Sequence, residues 1–266
     1  MRANRHLTLF EKRQLSPSLM RLVFTGEDLK TFPVGEESGY VKLLFPADGE
    51  REVQGDKLDD KPYFKALHKR TFTIRQYKPE DNTLHIDGVC HSFGHPEQGP
   101  ANAWIETAAP GHAIWVSGPG EKKLINAPSD WYFFVGDMTA LPAIAVNLAQ
   151  LEGDARGYAV IEVMSSGDIV ELPRPDNLEV HWVINSDPKC PSTYLAQAAR
   201  ERPWQEGVPS VWVAGEFELM RDLRKYFKRE RSVPKSQVYA SSYWKIGESD
   251  EGNKRAKKQD ELIAED

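Results

Sequence analysis

Apolar and polar positions alternate through the first 120 residues and give way to unbroken apolar runs beyond them. Alternation is the strand period, because successive strand side chains point to opposite faces. Segments 5–15 and 19–26 read as strands joined by the turn Ser16-Pro17-Ser18, and Gly39 to Pro46 reads as a third. Residues 47–66 are charged and rich in Asp, Lys and Gly, the composition of an exposed loop or flap. Strands follow over 70–77 and from Thr83 to His91, with Pro79-Glu80-Asp81-Asn82 as the turn between them. A short helix is expected over 101–108 and a further strand from Ala113 to Ser117. Six or so short strands with one helix predict a small antiparallel barrel.

After Gly118-Pro119-Gly120 the texture changes. Trp131-Tyr132-Phe133-Phe134-Val135 is apolar throughout, as a strand buried on both faces must be. It ends at Gly136-Asp137, and a helix is expected from Leu141 to Leu151. Buried strands are expected over Tyr158–Met164, Glu179–Ile184 and Val211–Gly215, with helices over Tyr194–Arg200 and Phe217–Glu230. The last of these carries Arg224, Lys225, Lys228 and Arg229 late, where the helix dipole favours cations. Strands alternating with helices predict parallel pairing and right-handed crossovers, hence an α/β domain of nucleotide-binding type. The expected domains are 1–120 and 121–266, with residues 250–266 as an exposed helix or frayed tail.

Totals narrow the function classes. The chain has 266 residues, 40% hydrophobic and 28% charged, enough for a sizeable core. A formal net charge of −6 argues against general affinity for nucleic acid or for anionic membranes. Cys90 and Cys190 stand far apart with no Cys-x-x-Cys pair, which fits a reducing compartment better than a disulfide framework or a zinc site. The first residues hold no apolar core of signal-peptide length and no run approaches a membrane span, so a cytoplasmic location is expected, and a monomer.

Candidate chemistry concentrates in four stretches. Arg70-Thr71-Phe72-Thr73-Ile74-Arg75 sets an aromatic, a hydroxyl and a cation close together. These suit covering a flat ring, bonding a ring nitrogen and holding a phosphate, although a plain alternating surface strand reads the same way. On alternation Phe72 and Thr73 fall on opposite faces, so both reach one ligand only at a strand end or a bend. His91 precedes a loop and then Gly99-Pro100-Ala101-Asn102-Ala103-Trp104, a helix start whose backbone N–H groups suit a pyrophosphate. Gly136-Asp137-Met138-Thr139-Ala140-Leu141-Pro142-Ala143 is a strand–turn–helix junction, where open α/β sheets bind ligands. Ser242-Tyr243-Trp244-Lys245-Ile246-Gly247 lies near the end. There is no Gly-x-Gly-x-x-Gly fingerprint, no P-loop, no nucleophile set and no His/Cys/Asp/Glu cluster of metal-site character.

In order, these stretches resemble the siderophore-interacting protein family, flavin-dependent ferric-siderophore reductases of the ferredoxin-reductase-like superfamily. The resemblance spans roughly residues 5–250. It implies an antiparallel six-stranded FAD-binding barrel followed by an α/β NAD(P)H-binding-like domain with a parallel sheet. It implies FAD as cofactor, a ferric siderophore, expected to be of hydroxamate type, as substrate, and NADH, NADPH or a ferredoxin as electron donor. Arg70, Phe72, Thr73 and Arg75 match the family's Arg-x-Tyr-Ser/Thr-x-Arg strand, with Phe72 where tyrosine is usual. By resemblance Arg70 contacts the FAD phosphates, Phe72 lies against the isoalloxazine and Thr73 bonds near its reactive nitrogen, with Thr71 and Arg75 beside them. His91, Gly99, Pro100, Ala101 and Trp104 match the ends of a segment that is longer here than usual, and Trp104 fits a core position equally well. Thr139, Ala140 and Pro142 fall near the flavin diphosphate or a nicotinamide nucleotide, with Met138 where glutamate is usual. Tyr243 and Trp244 belong to the cofactor side, and Lys245, in place of arginine, to the substrate. Lys254, Arg255 and Lys65 are further substrate candidates, the first two equally readable as a solvated helix face. Two alternatives stay open: a flavin or ferredoxin reductase of the same superfamily, and a siderophore-binding module without flavin.

Overall fold

The computed structural model describes residues 3–90, 99–126, 128–190 and 193–264. The chain divides into two compact units, Met1–Lys123 and Leu124–Asp266.

In the first unit six antiparallel strands close into a barrel of order β1-β2-β5-β4-β3-β6. They are β1 (Ala3–Ser16), β2 (Leu19–Thr25), β3 (Tyr40–Phe45), β4 (His68–Lys78), β5 (Thr83–Val89) and β6 (Ala113–Gly120). Closure leaves no free edge, although the order is not a simple meander: β2 pairs with β5 and β3 with β6. The inward residues Leu7, Leu9, Leu22, Phe24, Val41, Leu43, Ile74, Leu84, Ile86 and Val116 make its core. Each such burial contributes about 1.5–3 kcal/mol. Helix α2 (Pro100–Thr107) begins with proline at its first position and adds Ala101 and Ile105 to that core. The 47–66 segment is less open than its charge implies: it contains a 3-10 turn and α1 (Lys61–Ala66), and Leu58 and Leu67 pack there on Leu44.

In the second unit five parallel strands run in the order β11-β10-β7-β8-β9. These are β7 (Trp131–Gly136), β8 (Gly157–Val163), β9 (Leu178–Ile184), β10 (Pro209–Glu216) and β11 (Val238–Trp244). Every residue of β7 and β10 is buried, which accounts for their unbroken apolar runs. Helices α3 (Leu141–Ala149), α4 (Tyr194–Arg200) and α5 (Phe217–Lys225) make the crossovers, and a π-helical turn over Tyr226–Glu230 continues α5. Glu216 caps α5, its carboxylate accepting from the amides of Glu218 at 2.6 Å and Leu219 at 3.1 Å. Two expectations need correction. Val238–Trp244 is a strand, the sheet's edge next to β10. The charged tail is a helix, α6 (Asp250–Ala264), that buries Asn253 and Asp260 instead of lying fully exposed.

Candidate functional site

In the barrel unit, β4 places Arg70, Phe72 and Ile74 on its inner side. Ile74 is fully buried, and Phe72 packs at the margin of the same core. Gly88 of β5 makes room for it: a Cβ there would lie 3.1 Å from the Phe72 ring and 3.1 Å from Ile105. The guanidinium of Arg70 reaches the start of α2, within 3.8 Å of where a Cβ on Gly99 would stand. Gly99 is the N-cap residue and has no side chain to accept from the first-turn amides. Among the described residues Arg70 makes no ion pair; its Nη1 donates to its neighbour's carbonyl, Lys69 O, at 2.9 Å. A cation set against a helix N-terminus, with no carboxylate to neutralise it, is suited to a phosphate. These residues therefore fit the pyrophosphate of a dinucleotide such as FAD. Pro100 and Ala101 form the first turn of the same helix. His91 lies outside the described residues.

The other barrel candidates divide. Thr71 is exposed and Thr73 buried, with a β-bulge between Ile74 and Gln76 just beyond. The strand thus bends next to the pair that strict alternation separates. Arg75 turns to Asp87, its Nε 4.0 Å away, but Arg21 already holds that carboxylate through two bonds of 2.7 Å. Two guanidiniums sharing one carboxylate leave a net positive charge. Burial and then Arg21 lower the Arg75 pKa, whereas its hydrogen bonds to Asp87 raise that of Arg21. Trp104 is a packing residue here, its ring 6.2 Å from Phe24 and stacked on it. Lys65 is exposed at the end of α1, and Lys69 is buried with its ammonium on the carbonyls of Phe64 and Leu67.

In the α/β unit the strand order reverses between β7 and β10, the point where open α/β sheets form a ligand crevice. Asp137 stands there. Its Oδ1 accepts from the Thr139 amide at 2.8 Å and the Thr139 hydroxyl at 2.5 Å. Its Oδ2 accepts from the Glu216 amide at 2.9 Å and from Trp244 Nε1 at 2.8 Å. Burial pushes this carboxyl up from its ordinary range, and the four donors pull the other way. Thr139 thus spends its hydroxyl on Asp137, while Ala140 and Pro142 are packed inside the strand–helix junction. On β8, Glu162 accepts from Asn185 Nδ2 at 3.2 Å, and burial followed by the nearby Asp137 pushes it up to about 7. Tyr243 sets its ring edge-on to Trp212 at 6.4 Å.

The basic candidates also separate. Lys245 and Arg255 share one cavity of about 370 Å³ with Phe217 and Arg221. The Lys245 ammonium lies 4.2 Å over the Phe217 ring and 2.9 Å from Glu218. Lys254 does not line that cavity; it pairs with Asp250 and, at 3.8 Å, with Glu251 along its own helix. Arg221 and the Arg21–Asp87 pair were not singled out from the sequence; Asp137 stood within the Gly136–Ala143 junction and Glu216 within Val213-Ala214-Gly215-Glu216, neither with a role of its own. Both had a local signal, an acid directly after an apolar strand.

A closed antiparallel barrel followed by a five-stranded parallel sheet is the architecture of the ferredoxin-reductase class. The ferredoxin-NADP+ reductase of Plasmodium falciparum shares this fold at a TM-score of 0.61, with 14% identity over 90% of this chain and 96% of that one. Within the class the chain belongs to the siderophore-interacting protein family. Residues 129–247 match the family itself and residues 8–123 its siderophore-interacting FAD-binding domain. It is 32% identical to the ferric vibriobactin reductase ViuB of Vibrio cholerae over 257 residues, 93% of this chain and 91% of that protein. The crystal structure of the siderophore-interacting protein SipS from Aeromonas hydrophila superposes at a TM-score of 0.83, with 29% identity over 96% of this chain and 97% of that one. The chain is accordingly an FAD-binding oxidoreductase. No described helix is long and apolar enough to cross a membrane.

Proposed function

We propose that the protein reduces the iron of a ferric siderophore, of hydroxamate type, to release it as Fe(II). The observation that carries this is the Arg70 guanidinium set against the start of α2 with no ion-pair partner among the described residues, on the strand that also offers Phe72, Thr71 and Thr73. In this reading Arg70 and the first turn of α2, Gly99 to Ala101, hold the FAD pyrophosphate. Phe72 backs the isoalloxazine, and Thr71 and Thr73 supply hydroxyls beside it. Arg75 adds charge through the Arg21–Asp87 group, and Tyr243 and Trp244 belong to the same function.

Bound FAD supplies the ability to take up two electrons and release them one at a time, which no side chain offers. The protein's part is to hold the ring and admit the chelate. Hard oxygen ligands prefer Fe(III), so reduction weakens their hold on the metal and frees it. The iron arrives already chelated, and among the described residues no group of three or more His, Cys, Asp or Glu side chains is placed to bind a metal. The cavity of Lys245, Arg255, Arg221 and Phe217 is where the basic side chains converge, and it is the part of the α/β unit suited to a bulky polar chelate. The electron donor is a nicotinamide nucleotide or a reduced ferredoxin.

The purified protein is expected to be yellow, with an absorption band at ~450 nm from oxidised flavin. Anaerobic stopped-flow mixing with NADH, NADPH and reduced ferredoxin identifies the donor by bleaching of that band, and addition of a ferric hydroxamate restores it. A colourless protein that FAD does not reconstitute, or a bleached flavin indifferent to ferric chelates, defeats the proposal.

A further inference from the structure

We infer that Glu162 selects the electron-donating nucleotide: at the carboxyl end of β8 it accepts from the 2′-hydroxyl of the adenosine ribose, so the protein takes NADH in preference to NADPH. The preference between nucleotides rests on the reductase reading above; the ribose site lies wholly within the α/β unit and stands on geometry.

Strand order fixes where such a residue belongs. β7, α3 and β8 form the βαβ crossover beside the point where the order reverses, between β7 and β10. In doubly wound sheets a dinucleotide lies across the carboxyl ends of the strands. An acid at the end of the second strand then bonds the ribose hydroxyl, whereas an arginine nearby accommodates the 2′-phosphate of NADP. Gly136 lets the first strand and its helix approach as closely as this arrangement needs, since a Cβ there would lie 2.7 Å from that of Ala140. β8 is the second strand, and Glu162 is its last residue but one.

Three acids stand at neighbouring strand ends: Glu162 on β8, Asp137 after β7 and Glu216 on β10. Two of them are fully engaged. Asp137 accepts four bonds. Glu216 caps α5 with one oxygen and accepts from the Ile246 amide at 3.2 Å with the other. Glu162 accepts only from Asn185, through Oε1, and its Oε2 has no partner among the described residues. It is half-buried, and burial holds its carboxyl up at about 7, the condition of an acid short of donors. A ribose hydroxyl supplies the donor.

The same end of the sheet offers little to a phosphate. From Asp137 to Asp187 the chain carries two lysine or arginine side chains, Arg156 and Arg174. Arg156 donates to the carbonyls of Asp130 and Glu206, and Arg174 to those of Leu172 and Leu178. Asp130, Glu206 and Leu178 lie at or before the amino ends of β7, β10 and β9, the opposite end of the sheet. The next cation, Lys189, is exposed in the loop beyond β9. A dianionic 2′-phosphate beside Glu162 would therefore meet a carboxyl and the neighbouring Asp137, with neither arginine to neutralise it.

The test uses the full-length, FAD-loaded protein and calorimetric titration with AMP, 2′-deoxy-AMP and adenosine 2′,5′-bisphosphate, which differ only at the 2′ position. AMP should bind at least tenfold tighter than either of the others. E162Q keeps the size of the side chain but not its charge. It should weaken AMP about tenfold, to within threefold of 2′-deoxy-AMP, and leave the bisphosphate no weaker than in the parent. A melting temperature at or above the parent's separates this from misfolding. In steady-state reduction of a ferric hydroxamate, kcat/KM for NADH should exceed that for NADPH at least tenfold. E162Q should bring the ratio within about threefold through KM, with kcat within twofold. Equal binding of AMP and 2′-deoxy-AMP by the parent, no binding of any probe, a steady-state preference for NADPH, or a selectivity that survives E162Q overturns the inference. A parent that shows the AMP preference but reduces no chelate with either nucleotide defeats the reductase reading and the NADH claim with it, while the ribose site stands.

Discussion

Arg70 is the residue on which cofactor binding should depend most. It lacks a carboxylate partner among the described residues and adjoins an uncapped helix start, so removing it takes away charge without orphaning an acid. A hydrogen bond to a charged group is worth about 1.5–3 kcal/mol, so R70A should weaken FAD about 10- to 100-fold. R70K should fall between the two, since an ammonium keeps the charge but loses the planar fork. Fluorescence titration of the apoprotein with FAD measures this, and an unchanged melting temperature of the apoprotein separates it from a folding defect. Arg70 was legible because its chemistry is local: the cation, the aromatic and the hydroxyls sit within six residues. The bonding role of Asp137 was not, because two of its partners stand 79 and 107 positions away. Glu162 gives a second residue-scale outcome. Burial holds its carboxyl at about 7 in the fold against 4.5 for the free side chain. The fold therefore retains a proton that the unfolded chain has already released, and its stability falls as pH rises from 4.5 to about 7 and levels off above that. E162Q should be more stable than the parent at pH 8.5 by roughly 1–3 kcal/mol, the two converging by about pH 4, as urea melts at the two pH values will show.

At the scale of elements, the pattern of positions was a good guide where one face or both faces are buried and a poor one at edges. The barrel strands alternate and the β7 and β10 strands run apolar, so both sheets could be anticipated. β11 escaped because Ser241 and Ser242 interrupt it and most of its residues are only half-buried, as an edge strand permits. α1 escaped inside a segment dominated by charge, where Tyr63 and Phe64 pack against the buried Leu44, Leu58 and Leu67. α6 read as a frayed tail because its sequence has little apolar face. What docks it is polar: Asp260, nearly buried, takes Arg221 at 3.0 Å and Arg224 at 2.7 Å from α5. Lys257 also bonds the Ser241 hydroxyl and the Ser242 carbonyl at 3.1 Å. D260N should leave two guanidiniums short of their anion and release α6, at a cost of about 1–3 kcal/mol locally. Amide hydrogen exchange should then quicken over 250–264 and along β11, while the barrel strands stay protected. Quickened exchange spread over both units would show instead that α6 is integral to the whole fold.

For the whole molecule, the choice of chelate is a question of charge. The net charge of −6 repels an anionic complex, and the cations nearest the Phe217 cavity do little to reverse this. Lys245 is paired with Glu218, and Arg221 divides itself between Glu218 and Asp260. Arg255 is left as the cavity's one cation with no ion-pair partner among the described residues, and Glu248 lines the same space. A tris-hydroxamate complex of Fe(III) is neutral, whereas a tris-catecholate complex carries three negative charges. Screening acts only on the second. Raising ionic strength from 0.01 to 0.1 M shortens the Debye length from about 30 to about 10 Å, which weakens repulsion acting across the protein surface. With a tris-catecholate, kcat/KM should therefore climb roughly threefold or more over that range. With a neutral hydroxamate of similar size it should stay within about twofold. Steady-state reduction of the two chelates across a salt series reads this directly. A kcat/KM for the trianion that falls with salt would mean that the paired cations open to receive it, and that the cavity's local field outweighs the charge of the chain as a whole.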